Sequence, residues 1–107
     1  MIDIKRAAVD LAKDWRSDKI LHKLEAMMLV ADSNNILLIS GTGDVVEPEE
    51  DVISIGSGGN YAYSAALAYM ENKKLSAFEV ALRSLKIAAR VCIYTNSNIV
   101  LEEIENE

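Results

Sequence analysis

Ser57 is the residue of this sequence whose type and setting most suggest chemistry. Three glycines surround it between positions 56 and 59, after an apolar run and before an alanine-rich segment. This order predicts a strand over 53–55, a glycine loop, and then a helix that runs to about residue 71. Glycines allow close approach of a ligand or another backbone, and a helix start offers unpaired N–H groups and partial positive charge. Ser57 can therefore donate a hydrogen bond to a reacting centre, or it can simply cap the helix.

The glycine loop matches none of the common nucleotide-binding or nucleophile motifs. The spacings G-x-x-x-x-G-K-[ST], G-x-G-x-x-G and G-x-S-x-G are all absent, so no organic cofactor is predicted. Two interpretations stay open from spacing alone. The loop over Gly56–Asn60 is either a structural tight turn, or an anion or backbone-contact site in a small anion-binding domain.

Three other features could bind a metal or attack a substrate, and each has a simpler interpretation. His22 is the only histidine, and no second ligand lies at helical spacing to it, so a zinc site is not supported. Cys92 is the only cysteine and falls on an apolar helix face, which is typical of a buried, inert thiol. The acidic loop over 47–51 lacks the alternating spacing of a calcium loop and is predicted to be solvated.

The composition limits the class of protein. The chain has 107 residues, enough for a single domain over 1–107, and a net charge of −6 that argues against a nucleic-acid surface. One cysteine excludes an intramolecular disulfide and indicates a reducing compartment. No signal peptide or membrane span is found in the sequence, so we expect a cytoplasmic protein that binds neither nucleic acid nor membrane.

The hydrophobic pattern in the first half predicts a helix and a β-hairpin. The helix covers residues 3 to about 16, with Asp3 as N-cap. Its apolar face contains Ile4, Ala8, Leu11 and Trp15, and the face continues to about residue 25. Apolar runs at 26–31 and 36–39, joined by a polar turn, predict a hairpin buried on both faces. Val45–Val46 is expected to pair briefly after it.

The second half predicts two helices and a last strand. Ser76 and Glu79 have the spacing of a capping box, which opens a helix with an apolar face formed by Phe78, Leu82, Leu85, Ala89 and Cys92. Residues 99–101 are predicted to form the final strand. Because strands follow strands and helices follow helices, the fold class predicted is α+β.

Four segments together resemble a known family. They are residues 7–18, 39–49, 55–62 and 92–96, and the likeness extends over essentially the whole chain. The sequence resembles the HslV (ClpQ) family, proteasome-like peptidases that work with the HslU ATPase. The resemblance implies an N-terminal-nucleophile hydrolase fold, an αββα sandwich of two sheets between two helical layers, which is present here in part. It also implies two stacked six-membered rings of identical subunits, protein substrates, and a threonine-type endopeptidase activity.

The resemblance assigns roles to four positions of this sequence. Ser57 corresponds to the serine that hydrogen-bonds near the amine of the family's N-terminal threonine and helps to position it. The family's monovalent or divalent cation, most often sodium, is held by main-chain oxygens at positions that match Ala89, Cys92 and Thr95. The family usually has glycine where this chain has Ala89, and a carbonyl ligand survives that change.

The chain departs from the family at its start. It begins where the family's first long helix begins, and the threonine nucleophile, its aspartate and its lysine have no counterpart. Nucleophilic catalysis needs an attacking group, a base and oxyanion donors within hydrogen-bond reach. We therefore expect this polypeptide alone to be inactive. The alternative is a non-catalytic interaction module, or a complementing fragment of a ring assembly.

Overall fold

The computed structural model describes residues 3–20 and 26–104, which fall into two compact units. The described residues up to Asp51, together with Ile104, form the first unit, and Val52–Glu103 form the second. The first contains helix α1 (Ile4–Ser17) and strands β1 (Met27–Ala31), β2 (Ile36–Ser40) and β3 (Val45–Val46); the second contains helices α2 (Gly59–Met70) and α3 (Ala77–Val91). The prediction of a single domain over 1–107 stays a prediction.

Helix α1 confirms the first predicted helix and its cap. The Asp3 carboxylate accepts hydrogen bonds from the amides of Lys5 and Arg6 at 3.0 and 3.4 Å. The buried stripe consists of Ala8, Ala12 and Trp15. The prediction that Leu11 faces the core is wrong, because this side chain is 38% exposed and the stripe runs through its neighbour instead. Residues 19 and 20 are helical, whereas His22 and the predicted continuation to residue 25 lie outside the described residues.

The predicted hairpin is confirmed, and its predicted burial is not. Strands β1, β2 and β3 form one antiparallel sheet in that order, and the Asp32 carboxylate closes the first turn on the amides of Asn34 and Asn35. In β2, Leu37 and Ile39 are buried while their neighbours are half-buried. Both methionines of β1 are exposed. Within this unit α1 covers one face of the sheet, so only one face is a core.

Helices α2 and α3 pack together through small side chains. Ala62 and Ala66 are buried on α2, and Val80, Ser84 and Ala88 on α3. The capping box is confirmed, with the Glu79 amide donating to the Ser76 hydroxyl at 3.1 Å and the Ser76 amide to the Glu79 carboxylate. The predicted apolar face of α3 is confirmed only in part: Cys92 is buried, while Leu82, Leu85 and Ala89 are half-buried. Phe78 is 40% exposed, and the fully buried residues of the helix are Val80, Ser84 and Ala88.

Two predicted strands do not form. Neither 53–55 nor 99–101 has a strand partner among the described residues. Both are β-branched, apolar runs with the local preference of a strand, but pairing needs a neighbouring strand, which local sequence does not supply. The predicted α+β class is confirmed by helices α1 to α3 and the three-stranded sheet. No helix in the described part of the chain is long and apolar enough to cross a membrane.

Gly43 supports a stability prediction with a matched control. It adopts a φ of +85°, and an added Cβ would lie 2.7 Å from the Arg16 Cβ and 3.0 Å from the Ala12 carbonyl oxygen. Gly43→Ala is therefore expected to lower the free energy of unfolding by about 2–4 kcal/mol, from backbone strain plus collision. Gly56→Ala, at φ +101° with nothing within 4 Å of the added atom, should cost only the strain, about 1–2 kcal/mol. Urea denaturation measures both, and equal losses would contradict the contribution of the collision.

Candidate functional site

Ser57 lies exposed at the tip of a tight turn that leads directly into α2. The Gly59 amide donates to the Gly56 carbonyl at 3.0 Å, and Gly56 has a φ of +101°, a conformation that side chains other than hydrogen disfavour. Helix α2 begins at Gly59, so the predicted order of glycine loop and helix is confirmed. The turn thus fixes the backbone on both sides of Ser57 while its side chain remains accessible.

Two side chains from outside the loop hold it in place. The Ser54 hydroxyl donates to the Gly59 carbonyl at 2.5 Å. From the other side, the Thr95 hydroxyl lies so close to Gly58 that an added Cβ would be 2.5 Å from it. The sequence predicts no role for Ser54, because a serine two residues before the loop carries no signal of one. Glycine is required at position 58 because the Thr95 hydroxyl lies so close to its backbone. Its φ of −90° is one that other residues also adopt.

Cys92 caps α3 and faces this loop. Its side chain is 8% exposed, its amide donates to the Ala88 carbonyl at 2.8 Å, and its carbonyl accepts from the Thr95 amide at 3.1 Å. Hydrogen bonds from the Thr95 hydroxyl first, then from the Tyr94 amide and the Ser57 hydroxyl, hold the pKa of the Cys92 thiol below its ordinary value, against the opposing effect of burial. The structure therefore brings Ser57, Cys92 and Thr95 together.

The chemistry of this cluster is that of hydrogen-bond donors and a polarised thiol. It contains two hydroxyls, which are not general bases near neutral pH, and one largely buried thiol. No group of three or more His, Cys, Asp or Glu side chains within 3–20 and 26–104 could hold a metal ion. In the acidic loop at 47–51, Glu47 is exposed and pairs with Lys5 at 3.3 Å.

Main-chain oxygens near the end of α3 are the groups predicted to bind a cation. Ala89 is in the last turn of α3, Cys92 is its C-cap and Thr95 follows. Carbonyls at a helix C-terminus carry partial negative charge, and a carbonyl that accepts one hydrogen bond retains a second lone pair. Oxygen donors of this kind suit a hard cation such as sodium, magnesium or calcium. The oxygen chemistry of these residues suits a cation, and both the cation site and its occupation stay predictions.

Comparison with known proteins identifies the family. The family model described as "Proteasome subunit" matches residues 3–104 of this chain. This chain belongs to the proteasome subunit family. Its curated relatives include ATP-dependent protease subunits HslV of Borreliella burgdorferi strain ZS7, 99% identical over 107 residues, and of Borreliella afzelii, 96% identical. Both matches cover 100% of this chain and 59% of the relative, so the chain spans about three-fifths of their length.

A solved structure of the same family supports the fold. The crystal structure of eukaryotic HslV from Trypanosoma brucei matches with a TM-score of 0.76 at 40% sequence identity, covering 87% of this chain and 54% of that one. The resemblance to HslV and the predicted fold, part of an N-terminal-nucleophile hydrolase of proteasome type, are confirmed. The roles of Ser57 and of the three cation positions stay predictions, as does an anion site over Gly56–Asn60.

The thiol of Cys92 reports on the geometry of the site. Thr95→Val removes the largest hydrogen-bond donor to the thiol at nearly constant shape, so the pKa of Cys92 should rise; Ser57→Ala should raise it less. Only the thiolate reacts with iodoacetamide, so the alkylation rate should rise with pH as the thiol ionises. The midpoint of this rise should lie at a lower pH in the unmodified chain than in either variant. Mass spectrometry across a pH series measures the midpoint.

The matched control for this titration is Ser64→Ala, which removes an exposed hydroxyl from α2. It should leave the alkylation midpoint where it is in the unmodified chain. A midpoint that does not move in Thr95→Val would show that the Thr95 hydroxyl does not contact the thiol.

Proposed function

We propose that this chain is part of the peptidase subunit of an HslV-type ATP-dependent protease, with Ser57 as a supporting residue of the active site. The observation that carries the proposal is the exposed Ser57 hydroxyl, fixed at the tip of the Gly56–Gly59 turn. The relatives named HslV, nearly identical over the whole of this chain, give the reaction class, hydrolysis of peptide bonds in proteins.

In this proposal Ser57 orients the nucleophile rather than attacking the substrate. A hydroxyl both donates and accepts, so it can hydrogen-bond to the amine of an N-terminal threonine and hold that amine in place. The turn restricts the backbone of Ser57 through the hydrogen bond of the Gly59 amide to the Gly56 carbonyl. A preorganised donor of this kind costs little reorganisation when the reaction occurs.

The described site requires a nucleophile from elsewhere. Its hydroxyls have no general base beside them, and the thiol of Cys92 is 8% exposed. Attack on a peptide carbonyl needs an activated nucleophile with its base within hydrogen-bond reach. The threonine, aspartate and lysine of the family would supply this set, and Ser57 would complete it.

The cation and the partners are part of the same proposal. Main-chain oxygens of Ala89, Cys92 and Thr95 would hold a cation, for which sodium is the first choice. The charge of the cation would order the chain between α3 and Thr95. We further propose assembly of identical subunits into two stacked six-membered rings, an HslU-type ATPase as partner, protein substrates and a cytoplasmic location. The names of the relatives, which describe a subunit of an ATP-dependent protease, support the protein substrates, the ATPase partner and assembly with other subunits.

Peptide hydrolysis tests the proposal. The 107-residue chain, with or without an HslU-type ATPase, should give no turnover of a fluorogenic peptide above its Ser57→Ala variant, because no nucleophile with a base is present in the described site. A subunit with the full length of the relatives should be active, and the same serine substitution should lower its kcat about tenfold.

Two arms complete this assay. Sodium chloride and choline chloride are compared at equal ionic strength, and the full-length subunit should be more active in sodium if the proposed cation site is used. Turnover by the short chain above its Ser57→Ala variant would contradict the proposed source of the nucleophile. Full activity of the substituted long subunit would contradict the role of Ser57.

A second candidate function, an interaction module or complementing fragment of a ring, is favoured by one surface of the second unit. Ile93, Tyr94 and Val100 are 88%, 80% and 86% exposed. Apolar side chains this exposed, close together along the sequence, are typical of a surface that another polypeptide covers. This candidate needs no catalytic role for Ser57.

Light scattering after size-exclusion chromatography tests assembly. The 107-residue chain should elute as an oligomer, and the double substitution Ile93→Ser with Val100→Ser should shift it towards the monomer because the apolar surface is lost. Substitution of an exposed polar residue of the same segment, Asn96→Ser, is the control. A monomer at all concentrations in the unmodified chain would contradict both self-assembly and the interaction module.

A further inference from the structure

We propose that Ser54 is a positioning residue for Ser57, acting through the carbonyl of Gly59 at the start of α2. Ser57 lies at the tip of the turn, and Ser54 precedes the turn, three residues before Ser57 in the sequence. The proposal concerns how the loop is held. Only its consequence for catalysis rests on the proposed peptidase function.

The contact between Ser54 and Gly59 ties the two ends of the loop together. The Ser54 hydroxyl donates to the Gly59 carbonyl at 2.5 Å across five residues, and Ser54 is half-buried. The Gly59 amide meanwhile donates to the Gly56 carbonyl at 3.0 Å. Gly59 is therefore held through both its amide and its carbonyl, and the residues between the two contacts include Ser57.

Helix α2 has no side-chain cap of its own, and Ser54 does not replace one, because a cap accepts from the first amides whereas the Ser54 hydroxyl donates to a carbonyl. Gly58 occupies the N-cap position and has no side chain that could bond to the first amides. Ser54 supplies a hydroxyl from the preceding segment, and its partial burial keeps water from competing for the Gly59 carbonyl. A short, shielded hydrogen bond of this kind resists movement of the first turn of α2.

Thr95 limits the loop from the opposite side. Its hydroxyl lies against Gly58, where a Cβ would come within 2.5 Å, so the loop cannot shift towards α3. No comparable steric limit acts on Gly56, around which an added Cβ would meet nothing within 4 Å. At Gly59 an added Cβ would lie 3.4 Å from the Ser54 hydroxyl, so Ser54 both packs against the end of the loop and donates a hydrogen bond to it.

The test compares Ser54→Thr with Ser54→Val, which have nearly the same shape and differ by the hydroxyl. In the 107-residue chain, the valine variant should increase hydrogen exchange of the Gly59 amide about tenfold over the threonine variant, because one hydrogen bond of the loop is lost. The NMR signals of Ser57 should shift in the valine variant and return towards their original positions in the threonine variant.

Ser54→Ala gives a second measurement should the valine variant fail to fold, as judged by circular dichroism, and is compared with the unmodified chain in the same way. Ser64→Ala, an exposed serine on α2, is the matched control and should change neither exchange nor Ser57 signals. Equal exchange rates and equal Ser57 signals with and without the hydroxyl at position 54 would overturn the proposal.

Activity of the full-length subunit separates positioning from general stability. Ser54→Val should lower kcat about fivefold with KM unchanged, Ser54→Thr should restore it, and in a Ser57→Ala background Ser54→Val should have no further effect. A further loss in that background would overturn the proposal. An inactive unmodified subunit would instead contradict the peptidase function, while the exchange measurement would still decide the role of Ser54.

Discussion

The close contact between the Thr95 side chain and the Gly58 backbone is the constraint on which the candidate site depends. It leaves no space for a Cβ at Gly58, and it places the Thr95 hydroxyl beside both the glycine loop and Cys92. Because Thr95 follows the end of α3 and Gly58 precedes α2, this one contact brings together the ends of two helices. Ser57 and the proposed cation positions are neighbours for the same reason.

The packing of α2 on α3 makes that contact possible. Alanines on α2 and Ser84 with Ala88 on α3 allow the two helices to approach closely, which a stripe of large side chains would prevent. The Ser84 hydroxyl is buried without a hydrogen-bond partner among the described residues, a cost that small size at the contact offsets. In the first unit a glycine also allows a close contact. Gly43 lies against Arg16, and its carbonyl accepts a hydrogen bond from the Arg16 guanidinium.

Three predictions that the structure contradicts concern part of the face of α3, two strands and Leu11, and each has a physical reason. The apolar face of α3 was predicted from large side chains such as Phe78, whereas the buried stripe uses Val80, Ser84 and Ala88, because close helix packing selects for size as well as hydrophobicity. The strands at 53–55 and 99–101 were predicted from β-branched composition, which expresses a preference but cannot provide a partner strand. Leu11 repeats the spacing of the face and still points away from it.

The sequence by itself determined the features that depend on neighbouring residues. These are the Asp3 and Ser76 caps, the hairpin turn at Asp32, the glycine loop before α2, and the resemblance to HslV, which the comparisons confirm. Only the tertiary structure decided that Ser54 and Thr95 hold that loop and that Cys92 lies against Ser57. Capping and turn formation use characteristic side chains at fixed short spacings and so leave a local signal. The Ser54 contact is also short in sequence, but a serine that donates to a carbonyl five residues later follows no capping or turn pattern. The contact of Thr95 with Gly58 joins segments far apart in the chain, and its geometry exists only once α2 and α3 have packed.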